Sequence, residues 1–359
     1  HIEKRQVKNK AVLPFGTITL TDKFDLYDKV NDEQVKRLED FCKDQLKNIP
    51  WLSACSEYPL VGVGGSFRNL GKIIRRKKKY VYDVTHYYEM NKADIVDVYE
   101  GIRKLNLDRR MKIKGLSNER ADIFLVAVVA IKSVLDQMGT EKIILSGSGL
   151  RDGLIFQQIL PNGAAKPVDS AIDFSVNNLV NQLEVDKEHC KRICDLSLSM
   201  FEQLKQLHKL PSSYEAIIKT AAMLHDSGIC VGYYNHQRHS FYYILNSNLK
   251  GFTHREIIIS AFAAASHRKD EVPKDFIRYM EILNEDDLTA ILRIGVLIRI
   301  AESFDRSMVG IIQSVSCDVL GDSVIMKTET TGDASLEIKD ALSSNDIFRK
   351  AYGKNLVIL

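Results

Sequence analysis

The stretch AAMLHDSG, residues 221–228, carries His225 and Asp226 at the end of an apolar helical run. Both side chains are costly to bury unpaired, so their position calls for partners. An ordered set supplies them. His189 precedes the pair, His236 and His239 follow, then His267, and Asp305 closes the next long helical segment. Imidazole and carboxylate together suit Mn, Fe, Co, Ni or Zn, and carboxylates also admit Mg. A metal there would lower the pKa of bound water and clamp phosphate oxygens. The helix end lets His225 and Asp226 both turn inward, so His189, His225, Asp226 and Asp305 are the expected metal ligands. His236, Arg238, His239, His267 and Arg268 are expected to line the same region and to hold phosphates with or without a metal. His1, His86, His208 and His254 are read as ordinary core or surface residues.

A second chemistry lies in two glycine turns. GVGGS at 62–66 and SGSG at 146–149 each follow an apolar strand and open a helix. Backbone N–H groups at such turns cradle phosphate, aided by the helix dipole. Gly62, Gly64, Gly65 and Ser66, with Gly147, Ser148 and Gly149, are the expected phosphate contacts. One such turn is common in α/β connections. Two in one lobe, without a P-loop lysine or a full GxGxxG, point to another kind of phosphate fold. The basic run RRKKK at 75–79 has two readings: a track for a polyanion, or a solvated helix end where cations favour the dipole. It lacks the interleaved aromatics of a single-strand nucleic-acid reader.

The elements that must hold these residues change character along the chain. VKNKAVLP reads as a strand, and NDEQVKRLEDFCKDQLKNI as a helix capped by Asn31. SNERADIFLVAVVAIKSVLDQMG reads as a central helix from a Ser117 cap to Gly139. With the strand–turn–helix units around both glycine turns, residues 1–160 form an α/β layer structure. LPNGAAKPVD, with Pro161, Asn162, Gly163 and Pro167, reads as a linker. Helical periodicity then dominates from Ser170 to about Asp305, so residues 161–306 are expected to be an all-α domain. IIQSVSCDVL, DSVIMKTET and SLEIKD alternate, with a turn at Gly321-Asp322, and make 307–359 a small β-rich α+β domain.

The chain has 359 residues, 45% hydrophobic and 27% charged, with a net charge of +3, so its bulk charge demands no nucleic-acid partner. Its longest apolar run, 123–131, is far short of the roughly 20 residues that span a bilayer. The six cysteines form no CxxC pair and read as reduced thiols of a cytoplasmic protein.

Several segments resemble the exopolyphosphatase/guanosine pentaphosphate phosphatase family of the actin–sugar kinase–Hsp70 superfamily. LPFGTITLTDKF, LVGVGGSFRNLGKI, GLSNERADIF and ILSGSGLRDGLIF follow that family's order and spacing. The resemblance implies an actin-like, ribonuclease H-like second lobe over 1–160. It also implies that the family's earlier lobe, with a catalytic glutamate and a first phosphate loop, lies before His1. No catalytic residue of the cleft is therefore expected in this chain, and Mg²⁺ is the expected cleft cofactor. The order H…HD…H…H…D resembles HD-type metal phosphohydrolases. AAMLHDSGICVGYYNHQRHSFYYILNSNLKGF and SHRK are similar to the HD-like domain that many members append, although Gln237 stands where a histidine is frequent. The implied function is release of terminal phosphate from inorganic polyphosphate or of the 5′-phosphate from guanosine pentaphosphate. The alternatives are a metal-dependent nucleotide phosphohydrolase in the helical domain, and a non-catalytic polyphosphate or guanosine tetraphosphate binder. The family also implies a homodimer, for which Phe241, Tyr242, Tyr243 and Phe252 are candidate interface residues.

Overall fold

The computed structural model describes residues 1–159, 170–183, 185–268 and 274–359. The proposed linker at 160–169 lies outside the described residues. By their contacts the residues divide into two units, His1–Pro167 and Val168–Leu359.

In the first unit the continuous apolar stretch forms the helix Phe124–Met138, buried along most of its length. Its first two turns are apolar all round, which calls for a central place, and the core cluster collects around it. The helices Asp32–Lys47 and Lys92–Ile102 pack on it. Asn31 caps the former, its Oδ1 accepting from Gln34 N at 2.8 Å. Ser117 does not cap the central helix. It opens a short 3-10 turn, Asn118–Arg120, and the α-helix starts only at Phe124. Of the expected strand VKNKAVLP only Val7 pairs, in the strand Gln6–Val7 against Ile2–Glu3. Asn9 falls where its alternation calls for an apolar residue, and Val12 is 85% exposed. The main sheet has the order Leu60–Gly62, Lys142–Leu145, Glu89–Asn91. Its first two strands are parallel, with Gly62 opposite Leu145.

The second unit is built from the helices Ala171–Gln182, Lys187–Gln203, Tyr214–Leu224, His236–Asn246, His254–Ala265 and Glu285–Phe304. The strands Ile312–Leu320 and Ser323–Thr330 form the expected hairpin, and Asn355–Ile358 adds parallel to the second. SLEIKD is not a strand but the start of the helix Ser335–Leu342. Six alternating residues are too few to decide, and Glu337 and Ala341, one helical turn apart, form the buried face. This C-terminal part packs on the helices: Gln203 Nε2 donates to Val315 O at 2.9 Å and Tyr352 Oη to Arg293 O at 3.1 Å. All six cysteines are free, four of them buried. Among the described residues no helix is long and apolar enough to cross a membrane.

Candidate metal centre and phosphate turns

The helix Tyr214–Leu224 ends with His225 as its cap residue, and Asp226 leads into the 3-10 turn Ser227–Cys230. This turn lies hard against the helix His236–Asn246. A Cβ on Gly228 would come within 2.1 Å of His236 O, so only glycine allows the approach. Ser240 ties the two together, donating to His225 O at 2.6 Å and accepting from Gly228 N at 2.9 Å. His189 enters from the first turn of Lys187–Gln203, capped by Asp186. His267 follows the end of His254–Ala265, and Glu302 and Asp305 come from the end of Glu285–Phe304.

These elements bring two overlapping donor groups together. His189, His225, Asp226 and Glu302 form one, and Asp226, His236 and His267 the other, with the donor atoms of each within 4.8 Å of one another. Asp226 belongs to both. Its Oδ2 faces His225 Nε2 at 3.6 Å and His189 Nε2 at 3.9 Å, and its Oδ1 faces His236 Nε2 at 3.0 Å and His267 Nε2 at 3.8 Å.

The outer nitrogens explain what the inner ones can do. His225 Nδ1 stands 2.7 Å from Ala222 O, His236 Nδ1 2.8 Å from Tyr233 O, His267 Nδ1 2.5 Å from Ala264 O and His189 Nδ1 2.7 Å from Asp305 Oδ2. Each partner is an acceptor, so each Nδ1 carries the proton and a neutral ring presents Nε2 as a lone pair. The four Nε2 atoms point inward. His236 Nε2 and His267 Nε2 are 3.0 Å apart, and Glu302 Oε2 lies 3.0 Å from both His189 Nε2 and His225 Nε2. Asp226 Oδ1 is buried, with His236 Nε2 at 3.0 Å as its nearest ring nitrogen. A cation, or protons shared between the ring nitrogens and the carboxylates, would satisfy these facing atoms.

Protons compete for the same place. Burial opposes charge on His225 and His189, yet the carboxylates prevail. Asp226 holds His225 well above the ordinary imidazole value, and Asp305 and Glu302 bring His189 to about 9. Burial pushes Asp226 and Glu302 up, and the histidines more than reverse this, taking Asp226 to about 2 and Glu302 far below the carboxylate range. His267 is pushed down to about 3, by burial first and then by the charge on His225.

Asp305 does not join the donors. It stands behind His189, its Oδ2 also accepting from Arg192 Nε at 2.8 Å and its Oδ1 from Gly310 N at 2.9 Å. Glu302, one turn earlier on the same helix, takes the inner place. Its only signal in the chain is a carboxylate inside an apolar helix. Arg238 and His239 lie outside both donor groups, and Arg268 meets the site through Glu302 Oε1 at 3.0 Å.

The two glycine turns lie side by side, because Gly62 and Leu145 are register partners on parallel strands and Ser146 N donates to Gly62 O at 2.9 Å. They differ in what their amides do. Gly64, at φ +108°, caps the helix Gly65–Lys78 without a side chain, so no side chain occupies the first amides. In the second turn Gly147 N donates to His86 Nδ1, Ser148 N to Ser146 Oγ and Gly149 N to Asp152 Oδ2. Two arginines adjoin. Arg68 Nη2 donates to Gly147 O at 3.2 Å, and the Arg120 guanidinium lies over Gly65 where a Cβ would sit. The basic run is structural in part. Arg75 is buried over the Tyr88 ring, and Lys77 and Lys78 pair with Asp97 and Asp94. Of the candidate interface residues, Phe252 is buried and Phe241 packs on Phe262, whereas Tyr242 is exposed.

The profile of the Ppx/GppA phosphatase family matches residues 1–162, and that of Ppx/GppA phosphatase, domain III, matches 173–346. A guanosine-5'-triphosphate,3'-diphosphate pyrophosphatase of Aeromonas hydrophila is 31% identical over 145 residues, 40% of this chain and 28% of the relative. A protein of the same name from Pseudoalteromonas translucida is 24% identical over 270 residues, 68% of this chain and 51% of the relative. The chain thus spans only about a quarter to a half of these relatives' length. An exopolyphosphatase structure from Cytophaga hutchinsonii aligns with 43% of this chain and 51% of its own at 20% identity and a TM-score of 0.39, too slight a likeness to fix the architecture. With both profiles covering nearly all of the sequence, the chain belongs to the Ppx/GppA phosphatase family.

Proposed function

We propose that the chain serves phosphoanhydride hydrolysis, releasing the terminal phosphate of inorganic polyphosphate or the 5′-phosphate of guanosine pentaphosphate. The observation that carries this reading is the pair of glycine turns at the ends of adjacent parallel strands with Arg68 and Arg120 beside them. Ligands of open α/β sheets gather beyond the carboxyl ends of the strands. Phosphoryl transfer asks the protein mainly for positioning and charge stabilisation. The first amides of Gly65–Lys78 and the Arg120 fork would hold phosphate oxygens, with Arg68 bridging the turns. Among the described residues no metal-holding donor group lies at these turns, so the expected Mg²⁺ would be held largely through substrate phosphates. Titration with inorganic tripolyphosphate tests the reading. Arg120→Ala should weaken binding about tenfold or more, the worth of a charge-assisted hydrogen bond; unchanged binding would contradict it.

The inward ring nitrogens and carboxylates support a second function beside the first. His189, His225, Asp226 and Glu302 would hold one divalent metal, and Asp226, His236 and His267 another. Their chemistry, when bound, is to polarise phosphate oxygens and acidify water. Asp305 orients His189, and the backbone carbonyls of Ala222, Tyr233 and Ala264 fix the other three rings. This supports an HD-type phosphohydrolase centre in the helical unit.

A further inference from the structure

Two members of the basic run take no part in holding the fold. Arg75 lies over the Tyr88 ring, and Lys77 and Lys78 pair with Asp97 and Asp94, which leaves Arg76 and Lys79. Both are exposed. On the helix Gly65–Lys78, Arg68, Lys72 and Arg76 recur every four residues and so share one face. Lys79 follows just past the helix end. The buried Leu70, Ile73 and Ile74 lie on the opposite face, and no carboxylate occurs anywhere in this helix.

A second strip of cations adjoins the first. A Cβ on Gly115 would come within 3.0 Å of Ile73 N and 3.1 Å of Lys72 C, and Asn69 Nδ2 donates to Ser117 Oγ at 3.1 Å. The segment 112–120 therefore runs close along the helix and carries the exposed Lys112 and Lys114. It ends at Arg120, whose guanidinium lies over Gly65 at the first glycine turn. Glu119 is the one carboxylate within 112–120. Among the described residues, no carboxylate pairs with Lys72, Arg76, Lys79, Lys112 or Lys114. The helix dipole accounts for cations near the last turn, such as Arg76 and Lys79. It does not account for Lys72 in the middle of the helix, or for Lys112 and Lys114 outside it.

The shape of this surface selects its ligand. Arg68 and Lys79 stand eleven positions apart, about 16 Å along a helix at roughly 1.5 Å per residue. A single phosphate group cannot meet both ends, whereas a chain of them can. Base stacking has no platform here. Phe67, the one aromatic of the helix, turns to Gly62, and Tyr80 beyond its end packs on Tyr88.

We infer that this face is a track for the trailing part of a linear inorganic polyphosphate whose end sits at the first glycine turn. The track favours the long polymer over guanosine pentaphosphate, whose phosphates are divided between two positions of one ribose. The inference rests on the glycine-turn reading for where the chain end lies, but not for what the track binds.

Titration of the whole chain with tripolyphosphate and with long-chain polyphosphate tests this. The wild type should bind the long chain more tightly, and its advantage should shrink as salt rises, because released counterions drive it. Lys72→Ala, Arg76→Ala and Lys79→Ala together should weaken long-chain binding about tenfold, a few-fold for each exposed charge. Tripolyphosphate should bind that variant as it binds wild type. Removing three exposed lysines of the second unit instead, Lys187, Lys339 and Lys350, should leave both affinities as they were. Unchanged long-chain binding in the track variant, or an equal loss in the second-unit variant, would overturn the track. The glycine-turn reading fails separately. If tripolyphosphate ignores Arg120→Ala while the long chain still loses affinity in the track variant, the turn reading falls and the track stands. A single-stranded oligothymidylate that displaces the long chain at equal phosphate concentration, and weakens equally in the track variant, would give the face to nucleic acid and overturn the inference.

Discussion

At the scale of single residues, the decisive feature is which nitrogen of each histidine holds its proton. Four Nδ1 atoms face acceptors, so four Nε2 atoms turn inward towards Asp226 and Glu302, where a metal would compete with protons. Glu302 and Asp305 then have different tasks, and their substitutions should separate. Glu302→Gln removes an inner ligand and should abolish binding at the His189–His225 position. Asp305→Asn disturbs only the orientation and basicity of His189, an effect typically worth about 10- to 100-fold in metal affinity. Manganese titrations of both variants check this; equal loss in both would make Asp305 a ligand after all. His208 shows the opposite use of an imidazole. It is buried and neutral, its Nε2 donating to Phe201 O at 2.7 Å and its Nδ1 accepting from Leu210 N at 2.9 Å. Burial holds its pKa below the ordinary value. The unfolded chain therefore binds the proton more readily, and stability present above about pH 6.5 is lost as pH falls through the folded value. Wild type should lose more stability than His208→Gln between neutral and mildly acidic pH in urea titrations. Parallel losses would show that His208 is not the group responsible.

At the scale of elements, the site depends on a turn pressed against a helix. Gly228→Ala forces a methyl group into His236 O, and overpacking of this kind costs about 1–3 kcal/mol. Denaturant unfolding should show that loss, together with weaker metal binding, because the turn carries Asp226 and the helix carries His236. A variant as stable as wild type would mean the turn has room to shift. Much of this frame was legible in the chain. The apolar run 123–131 announced a buried helix, Asn31 a cap, and Gly321-Asp322 a hairpin. The failures have physical causes. SLEIKD was too short for alternation to outweigh the burial of Glu337 and Ala341 one turn apart. Glu302 was hidden because Asp305, three residues on, fits the expected order equally well, and only packing decides which carboxylate turns inward. Of the basic run, read either as a polyanion track or as a solvated helix end, Arg75 goes to the Tyr88 ring and two lysines to ion pairs with Lys92–Ile102.

At the scale of the whole molecule, the two contact units carry different candidate sites. The first offers glycine turns with arginines beside them, and the second a buried set of imidazoles and carboxylates. A metal bound only by the folded helical unit stabilises it by mass action. At a hundredfold excess over the dissociation constant, manganese should add about 2.7 kcal/mol to the unfolding of that unit, and calorimetry should show no gain in Asp226→Ala. The most direct test of the central claim counts the ions. Chelator-treated chain is titrated with Mn²⁺ and followed by electron paramagnetic resonance. The shared Asp226 predicts two ions per chain, close enough to couple magnetically, and neither bound in Asp226→Ala. No binding by the wild type, or equal binding by the variant, would contradict the metal centre.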